Sequence, residues 1–258
     1  MTAVRLIDTH CHLDDESLRN DLSERLTRAR ADGVCACIVP AVHQSQWALQ
    51  RKVVAQYSDL FSAYGLHPCY MHQHTLSQVD QLEAALVAGQ AVAVGEVGLD
   101  FFIEPHDANA QLQLLEAQFS VARNLDLPVI LHARKSHDIL LKLLRKYRLK
   151  GGVAHAFSGS LQQAQVFVDL GFLIGFGGGA TYDRANKLHT ILNALPLDAL
   201  ALETDAPDIP PCFARNVPNT PEHLRRIAEI IAEKKGVSLE ILAAATTQNA
   251  IRMFRLPV

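Results

Sequence analysis

The chain has 258 residues, 49% hydrophobic and 20% charged, with a net charge of −3. That balance excludes a disordered chain and a protein that grips nucleic acid through a global basic field. Five cysteines speak against a disulfide framework in a chain of this size, and no run approaches a membrane span of about 18 apolar residues. The N-terminal segment MTAVRLIDTHCHLDD lacks the apolar run of a signal peptide. The expectation is a soluble cytoplasmic enzyme with no membrane association and no obligate protein partner. Any nucleic-acid role would rest on a local site, where divalent cations can supply positive charge.

Short β-branched runs alternate with longer amphipathic stretches. The predicted strands are RLIDTH from Arg5, ACIVPA from Ala36, FSAYGL from Phe61 and AVAVGE from Ala91. They continue with PVILHA from Pro128, GVAHAF from Gly152, FLIGFG from Phe172 and ALALET from Ala199. The clearest predicted helix runs from Asn109 to Leu125. Thr220 and Pro221 read as the N-cap and first position of another, and a last helix spans Ser238 to about Met253. Eight strands, each followed by a helix, predict a single-domain TIM (β/α)8 barrel over residues 1–258. A doubly wound open sheet is the alternative, although no GxGxxG follows the first strand. Gly175, Gly177, Gly178 and Gly179 end the seventh strand, either to turn the chain or to approach a phosphate.

Active sites of TIM barrels lie at the C-terminal ends of the strands. The polar residues there are His10, His12, Glu96, His132, His155 and Asp205. Histidines and carboxylates gathered from five strand ends make a metal-ligand set. His10 and His12 share one face at i and i+2, which turns Cys11 away. A carboxylate such as Glu96, ending an apolar strand, is costly unless paired or metal-bound, and its two oxygens can bridge two cations. Two divalent metal ions about 3.5–4 Å apart can activate a hydroxide and polarise a phosphoryl or carbonyl oxygen. Asp205 is the expected proton acceptor beside that hydroxide.

Other positions carry two readings each. Asp8 and Glu203, one step deeper than His10 and Asp205, either orient ligands or are hydrogen-bonded buried carboxylates. Arg134 either grips a phosphate or forms a surface ion pair. His67 either contacts a phosphate or leaving group or makes a structural hydrogen bond. Ser158 either offers its turn to an anion or simply builds that turn. His43, His106, His137, His189 and His223 are expected at the surface, and His72 and His74 flank the loop after His67. Cys35 and Cys37 read as part of the second strand and not as a zinc pair, and Trp47 as helix packing.

The motifs IDTHCHLD at Ile7, GLHP at Gly65, VGEVGLD at Val94, PVILHAR at Pro128, HAFSGS at His155 and LETDAPDIPP at Leu202 come in order along nearly the whole chain. In them the sequence resembles the TatD family of metal-dependent deoxyribonucleases, among the amidohydrolase-like TIM barrels. The resemblance implies hydrolysis of DNA phosphodiester bonds with Mg, Mn or Zn, and single-stranded DNA or DNA ends as substrate. It also implies that His10, His12 and Asp205 bind one metal, His132 and His155 the other, and that Glu96 bridges them. Glu96 stands where related amidohydrolases often carry a carbamylated lysine. A small amide, lactone or phosphoester is the alternative substrate class. The loops FFIEPHDA after Asp100 and FARNVPN after Cys212 match the family least, and they would shape the substrate cleft.

Overall fold

The computed structural model describes residues 4–258. Eight strands form one parallel sheet in sequential order: β1 (Leu6–Asp8), β2 (Val34–Pro40), β3 (Leu60–Tyr64), β4 (Ala93–Asp100), β5 (Val129–Arg134), β6 (Gly152–Ala154), β7 (Phe172–Phe176) and β8 (Leu200–Leu202). The connecting helices are α1 (Glu16–Arg19), α2 (Leu22–Ala31), α3 (Gln44–Val54), α4 (Gln78–Ala88) and α5 (Ala108–Asn124). They continue with α6 (His137–Tyr147), α7 (Leu161–Asp169), α8 (Asn186–Ala194), α9 (Leu224–Lys235) and α10 (Leu239–Phe254). The sheet shuts on itself just beyond the regular ends of β1 and β8. Thr9 N–H donates to the Leu202 carbonyl at 3.0 Å, Asp205 N–H to His10 at 2.8 Å and His12 N–H to Ala206 at 2.8 Å. A closed parallel ring with helices between its strands is a TIM barrel, and the open-sheet alternative falls.

The apolar runs of the strands serve two cores because successive side chains point to opposite faces. Ile7, Ala36, Ile38, Ala63, Ala93, Ile130, Val153, Leu173 and Ala201 fill the interior of the ring, joined from α10 by Ala250 and Phe254. The other faces, with Val39, Val94, Leu131 and Leu202, pack against the helices. Trp47 is buried on α3 in that outer layer, as helix packing requires.

Helix starts follow their caps. Asp107 accepts from Ala110 N–H at 2.9 Å and opens α5, and Ser238 accepts from Ile241 N–H at 3.3 Å and opens α10. The helix expected from Pro221 begins later. Pro221–His223 form a 3-10 turn, Thr220 makes no side-chain cap, and α9 starts at Leu224. Asn219 takes over the junction, accepting from Thr220 N–H and facing His223 Nδ1, each at 2.9 Å. The glycine cluster does more than turn the chain. A Cβ at Gly175 would lie 2.5 Å from Glu203 Oε2, and one at Gly178 would lie 2.1 Å from the Ile209 carbonyl oxygen. These glycines clear space for Glu203 and for the loop after β8.

Candidate metal centre

Strands β4 and β5 and the loops leaving β1, β3, β6 and β8 place polar residues around one cleft of about 640 Å³. Glu96, on fully buried β4, stands at its floor. The Oε2 atom of Glu96 lies 3.1 Å from His10 Nε2 and 3.7 Å from His12 Nε2. Asp205 Oδ1 joins the same two nitrogens at 3.4 and 3.7 Å. The Oε1 atom of Glu96 faces the other way. It lies 2.9 Å from His132 Nδ1 and 3.0 Å from both His155 Nε2 and His67 Nε2. One carboxylate thus divides the histidines into two nests. Cys11 is buried in the outer core and bridges to Ala206, away from both nests.

Hydrogen bonds outside the nests fix which nitrogen faces inward. His12 Nδ1 lies 3.0 Å from the Pro40 carbonyl, which can only accept, so the ring proton sits there and Nε2 presents a lone pair. Asp100 likewise takes the proton of His132 Nε2 at 2.8 Å, which leaves Nδ1 toward Glu96. Nitrogen lone pairs and carboxylate oxygens therefore converge at 2.9–3.7 Å, an arrangement that needs shared protons or a cation. The triads His10–His12–Glu96, His10–His155–Asp205 and Glu96–His132–His155 each bring their ligand atoms within 4.8 Å of one another. Imidazole and carboxylate donors at this spacing fit a divalent metal ion.

The electrostatics follow the same division. Burial pushes the His10 imidazole well below its usual range, helped by His155 stacked on it at 3.8 Å. Burial alone would raise the Glu96 carboxyl, but His67, His155 and His10 hold it well below. Burial opposes charge on His132, yet Asp100, Cys69 and Glu96 hold that ring well above the usual range. Asp205 is pushed well above the carboxylate range by burial, against His155 and with Glu96, Glu203 and Asp208 adding to it. Its backbone sits at φ +60°, a left-handed conformation that Asp tolerates better than most residues.

The remaining expected residues fall into place around these. His67 is buried, and its Nδ1 accepts from Cys69 N–H at 3.1 Å, so its Nε2–H donates to Glu96. Burial pushes that ring down to about 4. Asp8 accepts from Thr204 N–H at 3.0 Å, Thr204 Oγ1–H at 2.6 Å and His10 N–H at 3.2 Å. It ties β1 to the end of β8 and touches no imidazole; burial raises it to about 7. Glu203 accepts from Ala156 N–H at 2.6 Å and lies 3.8 Å from His155 Nδ1, its carboxyl raised to about 8 by burial. Arg134 is partly exposed at the cleft, 3.4 Å from Asp100, and Ser158 Oγ is 3.5 Å from the Ala133 carbonyl.

His43, His106, His189 and His223 are half-buried at loops and helix ends, and His72 is exposed. His74 is half-buried, its Nε2 3.1 Å from the His67 carbonyl. His137 contradicts its surface assignment. It is buried at the start of α6 against Phe157 and Phe167, and its Nε2 has no hydrogen-bond partner among the described residues. All five cysteines are free. Asp100 is the site residue that sequence reasoning missed. Its cue is an even spacing from Glu96 along β4, which puts both carboxylates within reach of His132.

Comparison with known proteins agrees with this geometry. The family model described as TatD related DNase matches residues 7–255. An uncharacterized metal-dependent hydrolase of Escherichia coli, YjjV, is 41% identical over 98% of this chain and 99% of its own length. The crystal structure of that TatD homolog superposes with a TM-score of 0.95 at 40% identity, covering 99% of this chain and all of the other. A Salmonella typhimurium protein named 3'-5' ssDNA/RNA exonuclease TatD is 32% identical over 97% of this chain and 99% of its own. With a match along almost its full length and a histidine–carboxylate centre at the mouth of the barrel, the chain belongs to the TatD family of metal-dependent hydrolases.

Proposed function

We propose that the chain is a deoxyribonuclease that hydrolyses phosphodiester bonds in single-stranded DNA or at DNA ends, with a pair of divalent cations (Mg, Mn or Zn). The observation that carries this reading is the division made by Glu96. His10, His12 and Asp205 surround Oε2, and His132 and His155 surround Oε1. When bound there, divalent cations supply Lewis acidity to a phosphoryl oxygen and to water. The chain's own residues do the rest. Glu96 holds the two nests in register, and His67 donates to it from behind. Asp205, whose carboxylate faces the cleft beside His10 and His12, accepts the proton of the attacking water. Arg134 and Ser158 line the cleft and offer donors to the phosphate oxygens.

The cleft also carries Asp14, Asp15 and Asp208, and the whole chain is mildly acidic. That charge disfavours a long duplex groove and favours a short footprint. The named Salmonella relative supports a nucleic-acid substrate. Free cysteines support a reducing, cytoplasmic setting, and among the described residues no helix is long and apolar enough to cross a membrane.

The test is hydrolysis of short labelled single-stranded DNA by protein reloaded with Mg, Mn or Zn, with metal content measured on the same samples. Glu96→Ala should lose about 10²–10³-fold or more in turnover and bind less metal. Full DNase activity in Glu96→Ala would refute the mechanism. Turnover of a small amide, lactone or phosphoester with none of DNA would keep the centre and change the substrate class.

A further inference from the structure

Beyond the nests, the rim of the cleft is chemically lopsided. Asp14, Asp15 and Asp208 come from the loops after β1 and β8, whereas Arg134 ends β5 and Ser158 comes from the loop after β6. In the ring order, β4 and β5 lie across the barrel from β8 and β1. On the β4–β5 side stands Phe102, which is 52% exposed although it is a large aromatic. The Arg134 guanidinium lies over its ring at 4.2 Å and Lys135 Nζ at 4.8 Å.

This corner is held in place rather than draped over the surface. Phe102 and Ile103 N–H both donate to Asp100 Oδ1, at 2.9 and 3.1 Å. Asp100 Oδ2 binds His132 and pairs with Arg134. Ser136 Oγ donates to the Leu99 carbonyl at 2.8 Å and pins the turn after β5. Between them Lys135 sits in the left-handed region at φ +54°, a costly conformation for lysine. One carboxylate, Asp100, therefore anchors both a candidate metal ligand and an exposed aromatic flanked by two cations. An aromatic face with neighbouring cations is what a nucleobase and its phosphate recognise, by stacking and by charge.

We propose that Phe102, Arg134 and Lys135 form a nucleotide subsite that stacks the base next to the scissile phosphate of a single-stranded oligonucleotide. The inference rests on the nuclease reading above and adds where the strand lies: across the β4–β5 rim, away from the acidic rim of β8 and β1.

The test compares a thymidylate hexamer with a hexamer of abasic residues, which keeps the phosphates and lacks the bases. Binding of each, fluorescein-labelled, is read by anisotropy in EDTA, and kcat/KM is read on the metal-loaded enzyme. Phe102→Ala should weaken the thymidylate hexamer about tenfold and leave the abasic hexamer at the wild-type level. Phe102→Trp should restore the difference. Lys135→Gln should weaken both oligomers alike and lower the salt slope by about one. If Phe102→Ala weakens both hexamers equally, or neither, the subsite is wrong while the nuclease reading stands. If the wild-type enzyme neither binds nor cleaves either hexamer, the nuclease reading falls and the subsite falls with it.

Discussion

Asp100 accepts from His132 Nε2 at 2.8 Å, while the other nitrogen of the same ring lies 2.9 Å from Glu96. A carboxylate behind a ligating histidine fixes its tautomer and raises its basicity. Asp100→Asn presents an amide that must flip to accept, and it removes the charge that favours the imidazole proton. The expected cost is about 10–100-fold in metal affinity or turnover, with an unchanged circular dichroism spectrum. Metal titration of the variant at wild-type affinity would show that Asp100 positions nothing.

Gly175 touches Glu203 so closely that a methyl group would collide with its carboxylate at 2.5 Å. Gly175→Ala should destabilise the fold by about 1–3 kcal/mol and displace the carboxylate that receives Ala156 N–H beside His155. Adding Glu203→Ala should recover part of that loss, because the second change vacates the space that the first one fills. Denaturant melts of the two single variants and the double variant give the coupling; strict additivity would disprove the contact.

Burial pushes His137 down to about 4, and Lys187 pushes in the same direction, against an ordinary value of 6.5. The folded state therefore resists a proton that the unfolded chain accepts. Its contribution is complete above about pH 6.5 and is lost as the pH falls toward 4. His137→Leu should flatten the acid limb of the stability curve relative to wild type. Parallel curves from pH 7 to pH 4 would refute the assignment.

Asp8 receives three hydrogen bonds, two of them from Thr204. Asp8→Ala would leave buried donors at the β1–β8 junction without partners. A loss of about 2–4 kcal/mol is expected from the unsatisfied groups, seen as a lower melting temperature in metal-free protein. A change below about 0.5 kcal/mol, the range of ordinary surface substitutions, would show that the junction does not depend on it.

The candidate centre was legible because its six residues stand at the ends of predicted strands, where several polar side chains gather without a packing reason. Glu96 after AVAVG and His132 after PVIL are the plainest cases. Asp100 escaped because it also reads as the first residue of a loop. Its partnership with His132 joins β4 to β5, and the even spacing from Glu96 is the only local hint of it. His137 was misplaced for a similar reason. Between Ser136 and Asp138 it looks like an exposed helix start, and nothing nearby announces that Phe157 and Phe167 close over it. The glycines at the end of β7 read as turn formers or as a phosphate approach, because the neighbour of Gly175 and Gly177, Glu203, arrives from beyond the adjacent strand β8. What was missed lies between strands, where chain order is silent.

The junction between β1 and β8 joins residues 196 apart in the chain through Asp8 and Thr204, the kind of distant pairing that is entropically dear and slow to form. His10 and Asp205 face each other across that same join at 3.4 Å. Any ion that ligates both acts as a rivet through it, and its binding free energy adds to the work of prying the ring apart. A molecule whose ring has not yet shut holds only half of that ligand set. On the proposed function, a chain whose ring stands open cannot offer both His10 and Asp205 to one ion, so closure of the barrel and completion of the site coincide.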